Sequence, residues 1–117
     1  MISAIDHLII AVKDINDAKL NYRKIFGMNP VWSSENKDFG TINVIFNFKN
    51  LYCELLAANG DGLGATLINN HIEKNGEGLI GVAFKSNNFE ESFSKLKEYG
   101  YYLKELSKGE EIDNKTK

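Results

Sequence analysis

The sequence predicts an α+β fold: one complete β-α-β-β-β module followed by the opening strand and helix of a second. Three observations carry this. Residues 5–27, IDHLIIAVKDINDAKLNYRKIFG, read as an apolar strand, a capped turn and an amphipathic helix closed by glycine. Residues 41–57 alternate with period two on both sides of a short turn, the pattern of a hairpin. Residues 79–100, LIGVAFKSNNFEESFSKLKEYG, repeat the opening in the same register: His7 lies eight residues before Ile15, and Gly81 lies eight before Phe89. A fixed internal period marks two copies of one supersecondary unit.

Each element has its own signal. In the first strand, residues 5–12, Ile5, His7, Ile9 and Ala11 share one face, and Leu8, Ile10 and Val12 share the other. A strand apolar on both sides is covered on both. Asp14 is an N-cap, Asp17 suits the positive helix end, and Ile15, Ala18, Tyr22, Ile25 and Phe26 form a helical stripe that ends at Gly27. A second strand is expected over 28–34, where Trp32 either lines the pocket or packs on the helix, core packing being the expected of the two, and a polar turn over 35–38. In residues 41–48, Ile42, Val44, Phe46 and Phe48 oppose Thr41, Asn43, Ile45 and Asn47. Lys49-Asn50 then turns the chain into residues 51–57, where Tyr52, Glu54 and Leu56 oppose Leu51, Cys53 and Leu55.

A Gly/Asp loop over 59–64 leads to a helix over 65–75, with Ile68 and Ile72 on one side and Gly76 as its stop; His71 on this helix is expected to be exposed. Residues 79–85 form the fifth strand. Asn88 caps the last helix, whose expected buried stripe is Phe89, Phe93, Leu96 and Tyr99. A further strand is expected over 101–106, and the charged residues 107–117 as a frayed tail. The second module has no room for three more strands. The expectation is a single domain over 1–117 that forms the N-terminal part of a longer protein.

Composition excludes several classes. In 117 residues, Lys+Arg 14 against Asp+Glu 16 leaves a net charge of −2, so no field draws nucleic acid or an anionic membrane. The longest apolar run, residues 8–12, is too short to span a bilayer, and the N-terminus has no secretory pattern. The single cysteine, Cys53, forms no internal disulfide and reads as a small buried apolar residue; a reducing cytoplasm is the expected location. Gly76-Glu77-Gly78 lacks the lysine and preceding strand of a phosphate loop and reads as a helix stop.

Four stretches, in order, carry a family resemblance. The opening IDHLIIAVKDINDAKLNYRKIFG resembles the start of the vicinal oxygen chelate superfamily, which includes glyoxalase I, methylmalonyl-CoA epimerase, extradiol dioxygenases and bleomycin-resistance proteins. LYCELLA resembles that module's fourth strand, where Glu or Gln is a metal ligand. NHIEKNGEGLIGVAF resembles the linker into the second module. FGTINVIF resembles the Gly-Thr-x-Asn strand of a glyoxalase-like subgroup. Together they span residues 4–100.

The resemblance implies two modules forming a cupped sheet around a divalent metal (Zn, Ni, Mn or Fe). His7 matches the first ligand and Glu54 the second. The third falls on Gly81, which has no side chain to offer, and the fourth beyond the last residue. The subgroup's histidine four residues before the Gly of Gly-Thr-x-Asn is here Asn36.

Two arrangements of the candidate site follow from the residues. His7 and Glu54 form half a metal shell, fewer donors than the three that catalytic zinc takes from protein. Alternatively they pair directly: a strand carboxylate between Cys53 and Leu55 needs a wet cleft or a partner. Asn43 and Asn47 add polar, ligand-binding character to the same face. Two functions stay open. One is a metal-free domain binding a small oxygenated molecule, as in the bleomycin-resistance branch. The other is a metal-dependent enzyme of the glyoxalase type using His7 and Glu54. An open sheet edge also predicts self-association, as a homodimer.

Overall fold

The computed structural model describes residues 2–100. Its elements are β1 (Ile2–Ala11), α1 (Ile15–Phe26), β2 (Trp32–Asn36), β3 (Thr41–Asn47), β4 (Tyr52–Ala58), α2 (Leu63–Asn75), β5 (Gly78–Ser86) and α3 (Phe89–Glu98). This is the expected β-α-β-β-β module followed by β-α, joined by α2. The strand expected over 101–106 and the tail over 107–117 lie outside the described residues. The chain divides into a larger unit, Ile5–Ala83, and a smaller one whose described residues are 2–4 and 84–100.

In the larger unit the strands run in the order β2-β3-β4-β1-β5. β3 pairs antiparallel with β2 and β4, and β4 pairs parallel with β1. One sheet face is apolar and packs on α1. Its core is Val12, Ala18, Val44, Phe46, Cys53, Leu55 and Ala57, with Ile10, Ile15, Tyr22, Phe26, Met28, Ile42 and Phe48 packed around it. Phe26 meets Phe46 and Phe48 edge-on, with ring centroids 5.2 and 4.8 Å away. Asp14 caps α1 by accepting from the backbone N–H groups of Asn16 and Asp17, and Gly27 ends it in the left-handed conformation at φ 65°.

Some boundaries and faces differ from expectation. Ile25 is 68% exposed. It is turned about 100° around the helix from Phe26, which takes the place against the core. β2 begins at Trp32 rather than residue 28, because Pro30 has no N–H to give the ladder. It also runs through Glu35 and Asn36, which pair with Ile42 and Thr41. The turn then falls later: Asn36 Oδ1 accepts from Phe39 N, and Gly40 turns at φ 74°. α2 starts at Leu63 rather than Ala65, since Gly62 and Gly64 let its first turn lie directly on the backbone of Phe39 and on Thr41. Ile68 is buried as expected, and His71 is half-buried rather than exposed, with its Nδ1 3.5 Å from Asn75 Nδ2.

In the smaller unit, Asn88 caps α3 by accepting from Glu91 N, and Ser86 Oγ lies 2.5 Å from Ser92 Oγ. That partner lets Ser92 be the buried residue of α3. The apolar stripe is accordingly shifted: Phe93 and Leu96 are half-buried, whereas Phe89 and Tyr99 are exposed.

Candidate functional site

The other face of the sheet is the polar one. Pairing sets its membership. His7 is opposite Tyr52 and Ile9 opposite Glu54 across the parallel β1–β4 ladder. Across β3–β4, Asn43 faces Leu56, Ile45 faces Glu54 and Asn47 faces Tyr52. Ser34 then pairs with Asn43, and Trp32 with Ile45. Cross-strand partners share a face, so His7, Glu54, Asn43, Asn47, Ser34 and Trp32 all lie on this one. Trp32 is therefore a wall of the cup, 40% exposed, and not a core residue.

One chain of hydrogen bonds and an ion-pair contact crosses four strands. His7 Nδ1 is 2.8 Å from Asp6 Oδ2, and His7 Nε2 is 3.4 Å from Glu54 Oε1. Asn43 Nδ2 donates to Glu54 Oε2 at 2.7 Å. Asn43 Oδ1 in turn accepts from Ser34 Oγ at 2.7 Å and from Ser34 N at 3.0 Å. The His7 ring stacks on Tyr52, with centroids 4.4 Å apart and planes 11° from parallel. The side chains of His7 and Glu54 are 17% and 15% exposed, so the pair is largely shielded yet still open to the cup.

Both ring nitrogens of His7 face carboxylate oxygens, a setting that suits the imidazolium with its two N–H donors. Burial pulls the His7 pKa down, but the hydrogen bonds and negative charge of Glu54 and Asp6 outweigh it, and the pKa lies above the ordinary histidine value. Cys53, on the apolar face, is pushed up by burial and by the charge of Glu54, which leaves it a weak nucleophile.

The structure thus brings His7, Glu54 and Asn43 together. Asn47 shares their face but is exposed, at the Tyr52 end of it. Asp6, Ser34 and Tyr52 complete the arrangement, and sequence reasoning gave them no role. The Asp-His dipeptide was a signal for the first. Ser34 is brought in only by the pairing of two strands with a third.

The donor set partly suits a metal ion. A 3.4 Å separation is long for an N–H···O bond, and it is the spacing of two donors each about 2 Å from one tetrahedral ion. Asp6 behind the imidazole and Asn43 behind the carboxylate are partners that orient metal ligands. The count fails: among the described residues, no group of three His, Cys, Asp or Glu side chains is placed to hold an ion. Residue 81 contributes no donor. The residues present therefore do not fit a tight metal centre.

Comparison with known proteins gives a family and a fold. A family model described as a glyoxalase-like domain matches residues 5–115. Comparison with curated proteins finds no match. Among solved structures, the chain is similar to methylmalonyl-CoA epimerase from Mycobacterium tuberculosis (TM-score 0.74, 22% identity, 91% of this chain and 70% of that one). It is also similar to a variant of the Streptomyces coelicolor epimerase in complex with 2-nitronate-propionyl-CoA (TM-score 0.71, 22% identity, 87% and 73%). A third similar structure is a hypothetical protein from Bacillus halodurans C-125 (TM-score 0.72, 25% identity, 82% and 67%). Likeness at this level of identity speaks for the fold.

Proposed function

The chain belongs to the glyoxalase-like domain family, and on that premise we propose that it binds a small oxygenated metabolite in the cup, with His7 and Glu54 as the polar anchor. One observation carries the reading. The outer atoms of the pair are occupied, Nδ1 by Asp6 and Oε2 by Asn43, while Nε2 and Oε1 face each other across 3.4 Å. A ligand hydroxyl entering that gap accepts from the imidazolium and donates to the carboxylate. Both bonds are charge-assisted, the strong kind. Asn47 and Trp32 supply a further polar contact and an aromatic wall. Similar epimerase structures hold acyl-CoA compounds, which makes methylmalonyl-CoA a natural probe.

The second reading, a metal-dependent lyase, isomerase or dioxygenase, draws on the orienting partners Asp6 and Asn43. It needs a third donor from outside the described residues or from the ligand itself. Metal content and binding separate the two. Protein purified without a His-tag and dialysed against chelator is titrated calorimetrically with hydroxyacetone, lactate and methylmalonyl-CoA. Binding of a hydroxylated compound by metal-free protein, lost in Glu54→Gln, is the expected result. Stoichiometric metal that survives dialysis, with ligand binding only in its presence, would overturn the metal-free reading in favour of the metal-dependent one.

Among the described residues, β5 is an edge strand, and Leu79, Val82 and Ile5 are exposed on it and on β1. An uncovered apolar edge pairs readily, and we take a second copy of the chain as its partner. Sedimentation of a clean monomer at micromolar concentration would contradict this. No helix among the described residues is long and apolar enough to cross a membrane.

A further inference from the structure

Gly81 stands at the place in the second β-α unit that His7 holds in the first, eight residues before the helix. A Cβ built on Gly81 would lie 3.6 Å from Ile9 Cδ1, with no other neighbour within 4 Å among the described residues. Ile9 shares the face of His7, so residue 81 points into the cup from β5. Glu54 on β4 stands opposite Ile9 on β1, His7 is the next residue along β1 on that face, and residue 81 on β5 lies against Ile9: two donors and an empty place on three adjacent strands. Neither backbone nor packing demands glycine here. The residue is outside the left-handed region, and 3.6 Å is ordinary van der Waals contact. Elsewhere in the chain the opposite holds: at Gly40 and Gly62 a Cβ would come within about 2.5 Å of backbone atoms.

We infer that Gly81 is the residue that determines specificity in this cup. Its missing side chain withholds a third metal donor and leaves the space beside His7 and Glu54 to an organic ligand. The inference builds on the binding function proposed above, but it makes a claim about metal that is tested separately. With two donors the pair takes a divalent ion weakly; a third donor at residue 81 completes a three-ligand site on an otherwise unchanged sheet.

The test is titration of chelator-treated protein with Co2+, followed by its visible absorption bands and by competition with a chromophoric chelator. The proteins are wild type, Gly81→His, Gly81→Asp, Gly81→Ala and the double variant G81H/E54Q. Gly81→His, or Gly81→Asp should the larger side chain impair folding by circular dichroism, is expected to tighten Co2+ binding at least about tenfold. Gly81→Ala should not, and the double variant should lose the gain. A wild type as tight as Gly81→His, or a folded Gly81→His and Gly81→Asp with no gain, overturns the inference. Titration of the same proteins with hydroxyacetone is the second arm. If metal affinity rises while wild type binds no ligand at all, the proposed function falls and the role of Gly81 in metal exclusion stands.

Discussion

Replacing Glu54 with Gln keeps the side-chain volume and an oxygen acceptor but removes the charge that faces His7. Burial lowers the His7 pKa, and the bonds and charges of Glu54 and Asp6 raise it further than burial lowers it. The folded-state pKa therefore lies above the unfolded value of about 6.5. The stability contributed is fully present below about pH 6.5 and is lost as pH rises through the folded pKa. A charge-assisted hydrogen bond contributes about 1.5–3 kcal/mol and a neutral one about 0.5–1.5. The 3.4 Å separation and the partial exposure of both side chains place this pair at the low end. Glu54→Gln should cost about 1 kcal/mol more at pH 6 than at pH 9, where the weakened bond from Asn43 is the loss that remains. Urea denaturation of wild type, Glu54→Gln, His7→Gln and the double variant at both pH values gives the cycle that isolates the pair. Equal losses at pH 6 and pH 9, or no coupling at pH 6, would refute the assigned pairing.

Three further outcomes are expected. Phe46→Ala, which empties a fully buried site against Phe26, should lower stability by about 3–5 kcal/mol, seen as a fall in the denaturation midpoint. Gly62→Ala should be the costlier of two glycine changes. Its Cβ would sit 2.5 Å from Phe39 backbone atoms, whereas at Gly27 the new Cβ meets nothing within 4 Å among the described residues and the cost is the left-handed strain of about 1–2 kcal/mol. Equal midpoints for these two variants would contradict the tight junction at Phe39. Cys53, buried and with its thiol pKa raised, should react with a thiol reagent at a rate set by opening of the fold. Native protein labelled as fast as unfolded chain would show that the core around Cys53 is open.

The module, its helix caps and the two-faced strands were legible because each is a local pattern. Asp14, the Ile42–Phe48 alternation and Gly27 act within a few residues of themselves. What escaped the sequence depends on pairing. Trp32 reads as core by hydrophobicity, and only its partnership with Ile45 turns it into the cup. The stripe of α3 shifted because Ser86 offers Ser92 a partner, a contact between elements that periodicity cannot show. The site was half legible for the same reason. His7 and Glu54 were visible as polar residues in apolar strands. Ser34, at the far end of their chain of contacts, read as an ordinary surface residue until the strands were laid side by side, whereas Asp6 stood beside His7 in the sequence and was passed over.

That dependence on pairing ties the site to the core behind it. Side chains in a strand alternate, so a slip of one residue in β4 would bring Cys53 and Leu55 onto the cup. The same slip would drive Glu54 into the apolar layer beside Phe46 and Val44, where an unpaired carboxylate costs several kcal/mol. The apolar face that packs on α1 thereby enforces the register of the polar face, and the polar face penalises every other register. Asn43 extends the constraint to β3, since its amide reaches Glu54 and Ser34 at 2.7 Å only when Ile45 stands opposite Glu54. Gly81 stands apart from this mutual enforcement. Among the described residues a Cβ at position 81 meets only Ile9 Cδ1, at ordinary contact distance, so the side chain there can be changed without disturbing the register that holds His7 against Glu54.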